Sequence, residues 1–131
     1  MKAVDRREPK ARKEDMAIEY GNLMGSDKVD GAAVYGVDTK RIGSIKRVMI
    51  NKTSGEVAYA VLSFGGLPGV GGHFYPVPWK SLVYEINLGG YVAEVTEDKL
   101  KGAPSYSSEN SWDWAAPGAT KSIDDYYMSI P

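Results

Sequence analysis

Short runs of apolar residues, separated by turn residues, fill the middle of the chain and predict β-strands. These runs span residues 32–37, 42–50, 57–64, 74–77, 82–86 and 91–95. Branched and aromatic residues make both faces of the run 57–64 apolar, which predicts a central strand covered on both sides. The apolar positions of the run 42–50 miss strict alternation, which predicts a bulge or bend near Gly43.

The connections between these runs are too short for crossover helices, so the strands should be mostly antiparallel. Closing such a sheet on itself would remove its exposed edges and bury one face completely. The sequence therefore predicts an all-β fold: a small, closed, strongly bent, mostly antiparallel barrel of about six strands. The side chains expected to point inward are Val34, Ile45, Val48, Ile50, Ala60, Leu62, Phe64, Val77, Leu82 and Val92.

Three zones follow from the distribution of charge and aromatic residues. Residues 1–27 are densely charged and predict an arm that is partly disordered or forms a short helix. Residues 28–100 form the barrel, and residues 101–131 form an aromatic tail that docks on the barrel or on a second subunit. Short helical turns are expected at 79–82, after Thr96 as N-cap, and at 122–128 with Ser122 as N-cap.

The tail contains large rings at a density that is not typical of disordered segments. Because each ring carries much apolar area, we expect the tail to bury them against the barrel or against another chain. Its candidate interface residues are Tyr106, Trp112, Trp114, Tyr126 and Tyr127.

Charge and composition remove several functional classes. Sixteen basic and seventeen acidic residues leave a formal charge of −1, which disfavours a general nucleic-acid surface. The absence of cysteine excludes disulfides, thiolate metal sites and cysteine nucleophiles. No apolar run is long enough to span a bilayer, and the charged residues 2–20 leave no signal-peptide core, so we expect a cytoplasmic protein without a membrane span.

Candidate chemistry is sparse, and we predict no enzyme, no catalytic residues, no metal site and no cofactor. His73 is the single histidine, and no nucleophile elbow accompanies it. The glycine-rich run 65–72 lacks the Lys-Ser/Thr and the following helix of a phosphate-binding loop. A small-ligand site between Gly69 and Trp79 is a weaker alternative, with His73, Tyr75 and Trp79 as its lining.

The order of the middle motifs resembles the PRC-barrel family, named for the cytoplasmic barrel of the photosynthetic reaction centre H subunit. The resemblance rests on residues 29–34, on 42–50, on 55–66 with its Gly55-x-Val57 start and Phe64-Gly65-Gly66 end, and on Phe74-x-x-Val77-Pro78-Trp79. The tail motifs 103–114 and 123–127 look like those of stand-alone bacterial members, in which a histidine commonly stands at the position of Asp124. The acidic residues that guide protons in the reaction centre cannot be placed on this chain, so its electron-transfer role is not carried over.

Our leading functional hypothesis is a non-catalytic interaction or adaptor protein, acting as a homodimer and binding an unidentified protein partner. Ten of the fourteen aromatic residues follow Gly72, more than a barrel of about seventy residues can bury internally. A ribosome- or RNA-associated adaptor that uses the basic residues of the arm is an alternative, although the net charge of −1 disfavours nucleic acid as a partner.

Overall fold

The computed structural model describes residues 21, 23–64, 73–107 and 112–128 of the chain. The strands are β1 (Ala33–Tyr35), β2 (Arg41–Ile50), β3 (Val57–Ser63), β4 (Phe74–Pro78), β5 (Leu82–Glu85) and β6 (Gly90–Ala93). The helices are α1 (Ser26–Val29), α2 (Glu97–Lys101) and α3 (Ala119–Met128), and a 3₁₀ turn spans Trp79–Ser81. Most of the predicted arm and the glycine-rich run lie outside the described residues.

All six strands form one sheet in the order β4-β3-β2-β1-β6-β5. Four of its neighbouring pairs are antiparallel, whereas β1 and β6 run parallel, with Val34 opposite Tyr91. The all-β class and the six strands are thus confirmed. The parallel pair forms because β6 lies beside β1. The length of the connections between consecutive strands does not determine this long-range pairing.

The sheet curls into a half-barrel but stays open, so the prediction of a closed barrel is wrong. Strands β4 and β5 are its two ends and do not pair with each other. The outer edge of β4 pairs with the segment around Tyr106, because Phe74 and Tyr106 exchange two backbone hydrogen bonds of 2.7 and 3.0 Å. Helix α3 also packs against β4. The segment after α2 therefore takes the place that strand β5 would need for closure.

One apolar core fills the concave side of the sheet. Two of the predicted inward residues are misplaced: Ile50 is 54% exposed, and Val92 is half-buried without packing on the core, whereas the half-buried Val48 does pack against it. Ile50 follows a register shift in β2, and Tyr91 and Ala93 take the inner positions of β6. The buried core residues are Val34, Ile42, Ile45, Ala60, Leu62, Phe64, Tyr75, Val77, Leu82, Tyr91, Ala93, Val95, Leu100, Ala103, Ile123 and Tyr127.

The long strand β2 bends where the sequence predicts it. Its pairing with β1 shifts register beside Gly43, and its pairing with β3 shifts again after Ile45. A Cβ atom on Gly43 would lie 2.2 Å from the carbonyl oxygen of Ser63 and 3.0 Å from the Phe64 ring. Glycine at this position therefore permits a close approach between β2 and β3 that any larger residue would prevent.

Two of the predicted helical turns are found where expected. The 3₁₀ turn follows Pro78, and the Thr96 hydroxyl accepts a hydrogen bond from the Lys99 N–H and caps α2. The third predicted turn, 122–128, is helical as expected, but its N-cap is wrong, because α3 begins at Ala119 and Ser122 lies inside it. The Ser122 hydroxyl donates to the carbonyl of Ala119, a back-bonded arrangement that satisfies the side chain within a helix.

Candidate interaction surface

The convex face of β3 and β4 is covered by rings of the aromatic tail. Successive ring centroids lie 5.5 Å apart for Phe74 and Tyr106, 5.9 Å for Tyr106 and Trp112, and 6.1 Å for Trp112 and Trp114. Trp114 then packs on Tyr59 of β3 in a tilted arrangement, with ring centroids 5.6 Å apart. Val61, which lies on the same face of β3 as Tyr59, is fully buried.

Helix α3 fastens the end of the tail to the sheet. Ile123 and Tyr127, four residues apart, are buried in the core, while Asp124 accepts a 2.8 Å hydrogen bond from the Tyr59 hydroxyl. The Tyr126 hydroxyl donates to the carbonyl of Lys99 in α2. The rings of all five candidate interface residues thus have packing partners within this chain. Their use by a second subunit stays a prediction.

The surroundings of Tyr59 and Tyr127 raise the pKa values of their hydroxyls. For Tyr59, burial raises the pKa and the hydrogen bond to Asp124 raises it further. For Tyr127, burial raises the pKa far above its ordinary value, and the neighbouring Tyr126 and Tyr75 add to the effect. The Tyr127 hydroxyl is buried and has no hydrogen-bond partner among the described residues. It is therefore held in its neutral form by the core.

The predicted ligand residues lie along β4 without converging. His73 is exposed, and its ring centroid is 6.5 Å from that of Tyr75, which is buried against Phe64 at 4.7 Å. Trp79 follows the other end of β4, roughly 20 Å from His73 at strand spacing, and packs on Tyr91. The structure brings His73 and Tyr75 together and leaves Trp79 apart. Ligand binding by these residues stays a prediction.

A cavity of about 380 Å³ lies between the 3₁₀ turn, the segment after β6 and α3. None of the three predicted ligand residues lines it. Its walls mix one basic and two acidic side chains with apolar ones, and no cluster of three metal-ligating side chains occurs in the described part of the chain. The lining includes Pro78, Lys80, Glu94, Asp124, Tyr127 and Met128.

The opposite end of the sheet leaves large apolar side chains in solvent. On β5, Val83 is 47% exposed and Tyr84 is 38% exposed; before α1, Leu23 is 84% exposed and Met24 is 40% exposed. Tyr84 packs edge-on against Tyr91 at 5.2 Å, and the Tyr91 hydroxyl donates to the Met24 sulfur at 3.8 Å. We define the β5 patch as residues Leu23, Met24, Val83 and Tyr84 together with the outer edge of β5, with which no described strand pairs.

The two edges of the sheet differ in whether they can accept another strand. On β4 the backbone of Phe74 points away from β3, toward Tyr106, so the alternate residues Pro76 and Pro78 also direct their nitrogens outward. Proline has no N–H to offer there, and this edge cannot extend the sheet. Strand β5 contains no proline, and no described strand pairs with its outer edge.

Comparison with sequence families assigns the fold. The family described as the PRC-barrel domain matches residues 21–101, more than half of the chain. The chain belongs to the PRC-barrel domain family. This PRC-barrel match contains all six strands and α2, and it leaves α3 and most of the aromatic tail outside. No curated protein matches the sequence. Among the described residues of this PRC-barrel protein, no helix is both long and apolar enough to cross a membrane.

The β5 patch of this PRC-barrel protein is not among the candidate sites that the sequence predicts. One usable signal was present: prolines at alternate positions protect β4, whereas residues 82–86 contain none. The contact between Met24 and Tyr91 joins positions 67 residues apart, and local periodicity carries no information about it.

Proposed function

We propose that this PRC-barrel protein is a non-catalytic interaction module that acts as a homodimer through the β5 patch. The supporting observation is that no described strand pairs with the outer edge of β5, which exposed apolar side chains flank, whereas the edge of β4 is blocked. An uncovered strand edge beside apolar residues is an established template for pairing with another chain. An adaptor role toward an unidentified protein partner and a cytoplasmic location stay predictions of the sequence.

The aromatic tail supports this choice of surface. Its described rings stack on the convex face of β3 and β4 and are engaged within the chain. The exposed apolar area at β5 is therefore the better candidate for an interface. Burial of a Val or Leu side chain contributes on the order of 1.5–3 kcal/mol, so covering Leu23 and Val83 would favour association substantially.

The oligomeric state tests the proposal directly. Sedimentation velocity and light scattering at micromolar concentration should give about twice the 14.3 kDa mass of one chain. Tyr84→Lys places a charge on the edge of β5 and should shift the protein toward monomer. Ile50→Lys is the matched control, because Ile50 is an exposed apolar residue on β2 and its replacement should leave the dimer intact.

Tyr84→Phe should also remain dimeric, and circular dichroism should show that all three variants are folded. A 14.3 kDa monomer for the unaltered protein at every concentration would contradict the homodimer. A Tyr84→Lys variant that is folded and fully dimeric would show that the interface lies elsewhere.

A further inference from the structure

Hydrogen-bond alternation identifies which backbone groups of β5 are free. Glu94 N–H donates to the Ser81 carbonyl at 3.1 Å, in register with the pairs Leu82–Ala93 and Val83–Val92. Bonded and non-bonded pairs alternate along an antiparallel ladder, so Val83 and Glu85 direct their backbone groups at β6. Leu82 and Tyr84 therefore direct theirs toward the outer edge. The Ile86 N–H points the same way, because in a trans peptide unit it lies antiparallel to the Glu85 carbonyl.

Two other groups at the ends of this edge, the Leu82 N–H and the Ile86 carbonyl, already have partners within the chain. The Leu82 N–H donates to the Trp79 carbonyl at the end of the 3₁₀ turn. The Ile86 carbonyl accepts a 3.2 Å hydrogen bond from Gly89 N–H in the turn before β6. Four groups remain without a partner in the described residues: the Leu82 carbonyl, the Tyr84 N–H, the Tyr84 carbonyl and the Ile86 N–H.

We infer that β5 pairs with β5 of a second copy in an antiparallel register that places Tyr84 opposite the partner subunit's Tyr84. This inference rests on the proposed homodimer and specifies its geometry. The two Tyr84 residues exchange two hydrogen bonds. Each Leu82 carbonyl accepts one more from Ile86 N–H across the twofold axis, which gives four intersubunit bonds.

The occupant is a second copy because the free groups are self-complementary. The Leu82 N–H and the Ile86 carbonyl would face each other across this axis, and they are the two groups that the chain itself satisfies. In this register each N–H and carbonyl named above has one partner, either in its own chain or in the second copy. Buried backbone groups require such pairing. The register also places the two Tyr84 rings on one face, where aromatic cross-strand pairs are favourable.

Intersubunit disulfides can test the register, because the chain has no cysteine of its own. Val83 would lie opposite the partner subunit's Glu85 in a non-hydrogen-bonded pair, with Cα atoms about 4.5 Å apart. Two Val83 residues would be diagonal neighbours at about 7–8 Å, beyond the usual reach of a disulfide. A tagged Val83→Cys chain, mixed and re-equilibrated with an untagged Glu85→Cys chain, should therefore form crosslinked heterodimers several-fold faster than either variant crosslinks with itself.

Ile50→Cys is the matched control: it introduces an exposed thiol on β2 and should not form rapid crosslinks. Preferential Val83→Cys homodimers would overturn the register and indicate one centred on Val83. Equal, slow crosslinking of all variants in a sample that sediments as a dimer would overturn β5 pairing while the homodimer stands. A monomeric sample without crosslinks would overturn both proposals.

Discussion

At the scale of single residues, Gly43 decides how closely β2 can approach β3. Because a Cβ atom there would meet the Ser63 carbonyl at 2.2 Å, Gly43→Ala forces the two strands apart. We expect a loss of about 2–3 kcal/mol in the free energy of unfolding, measured by urea denaturation, which is large for a single substitution.

Gly55 provides the matched control for this prediction. Its φ is +82° and a Cβ atom there would meet nothing within 4 Å, so Gly55→Ala suffers only backbone strain. That substitution should cost about 1–2 kcal/mol. A smaller loss for Gly43→Ala than for Gly55→Ala would show that the strands can separate at little cost.

Replacement of tyrosine by phenylalanine should affect stability differently at Tyr59 and at Tyr127. Tyr127→Phe removes a buried hydroxyl without a partner in the described structure, so at pH 7 it should leave stability unchanged or raise it by up to about 1 kcal/mol. Tyr59→Phe removes the donor to Asp124 and should cost about 1 kcal/mol. Urea denaturation of both variants provides the comparison, and a destabilised Tyr127→Phe protein would reveal a missed partner for that hydroxyl.

The raised pKa of Tyr127 predicts that the free energy of unfolding depends on pH in the alkaline range. Its pKa is raised in the folded protein, whereas a tyrosine in the unfolded chain titrates near pH 10. The titration of Tyr127 therefore leaves the free energy of unfolding unaffected below about pH 10. The free energy of unfolding falls as the pH rises from there toward the folded pKa, because only the unfolded chain releases the proton. In Tyr127→Phe the decline in unfolding free energy above pH 10 should be shallower. An unchanged slope would mean that other groups dominate it.

At the scale of elements, α3 stabilises the fold through one face only. Ile123 is fully buried in the core, whereas Lys121 is exposed and pairs with Asp125 at 2.6 Å across one helical turn. Ile123→Ala should cost about 2–4 kcal/mol, because it leaves a cavity under the helix. Lys121→Ala removes only a solvent-exposed ion pair and should leave stability nearly unchanged. Thermal unfolding of the two variants should separate them clearly; similar melting temperatures would mean that α3 is not docked.

The local elements follow from the sequence because their causes are local. The 3₁₀ turn after Pro78, the cap at Thr96 and the bend at Gly43 each depend on one residue and its immediate neighbours. The start of α3 was missed because Ser122, a residue typical of helix N-caps, is satisfied here by the carbonyl of Ala119 inside the helix. Ile50 was misplaced because a register shift at the end of β2 moves it out of the inward set.

At the scale of the whole molecule, the open sheet depends on competition for the edge of β4. The sequence predicts strands but does not tell which segment occupies that edge, because Phe74 and Tyr106 are separated by two strands and a helix. The same long-range packing places the tail rings on the convex face and leaves the β5 patch exposed. The candidate surface therefore could not be located from periodicity alone.

Truncation tests whether the tail is part of the folded unit. A chain that ends at Gly102 loses the strand-like contact of Tyr106 and the core residues Ile123 and Tyr127, and it uncovers Val61. Because a small domain has only about 5–15 kcal/mol of stability, this loss should abolish cooperative thermal unfolding and expose apolar surface to a hydrophobic dye. A synthetic peptide of residues 103–131 added in excess should restore the near-ultraviolet circular dichroism. If the truncated chain unfolds cooperatively at the original temperature, the tail contributes nothing to the fold and its rings become available to a partner.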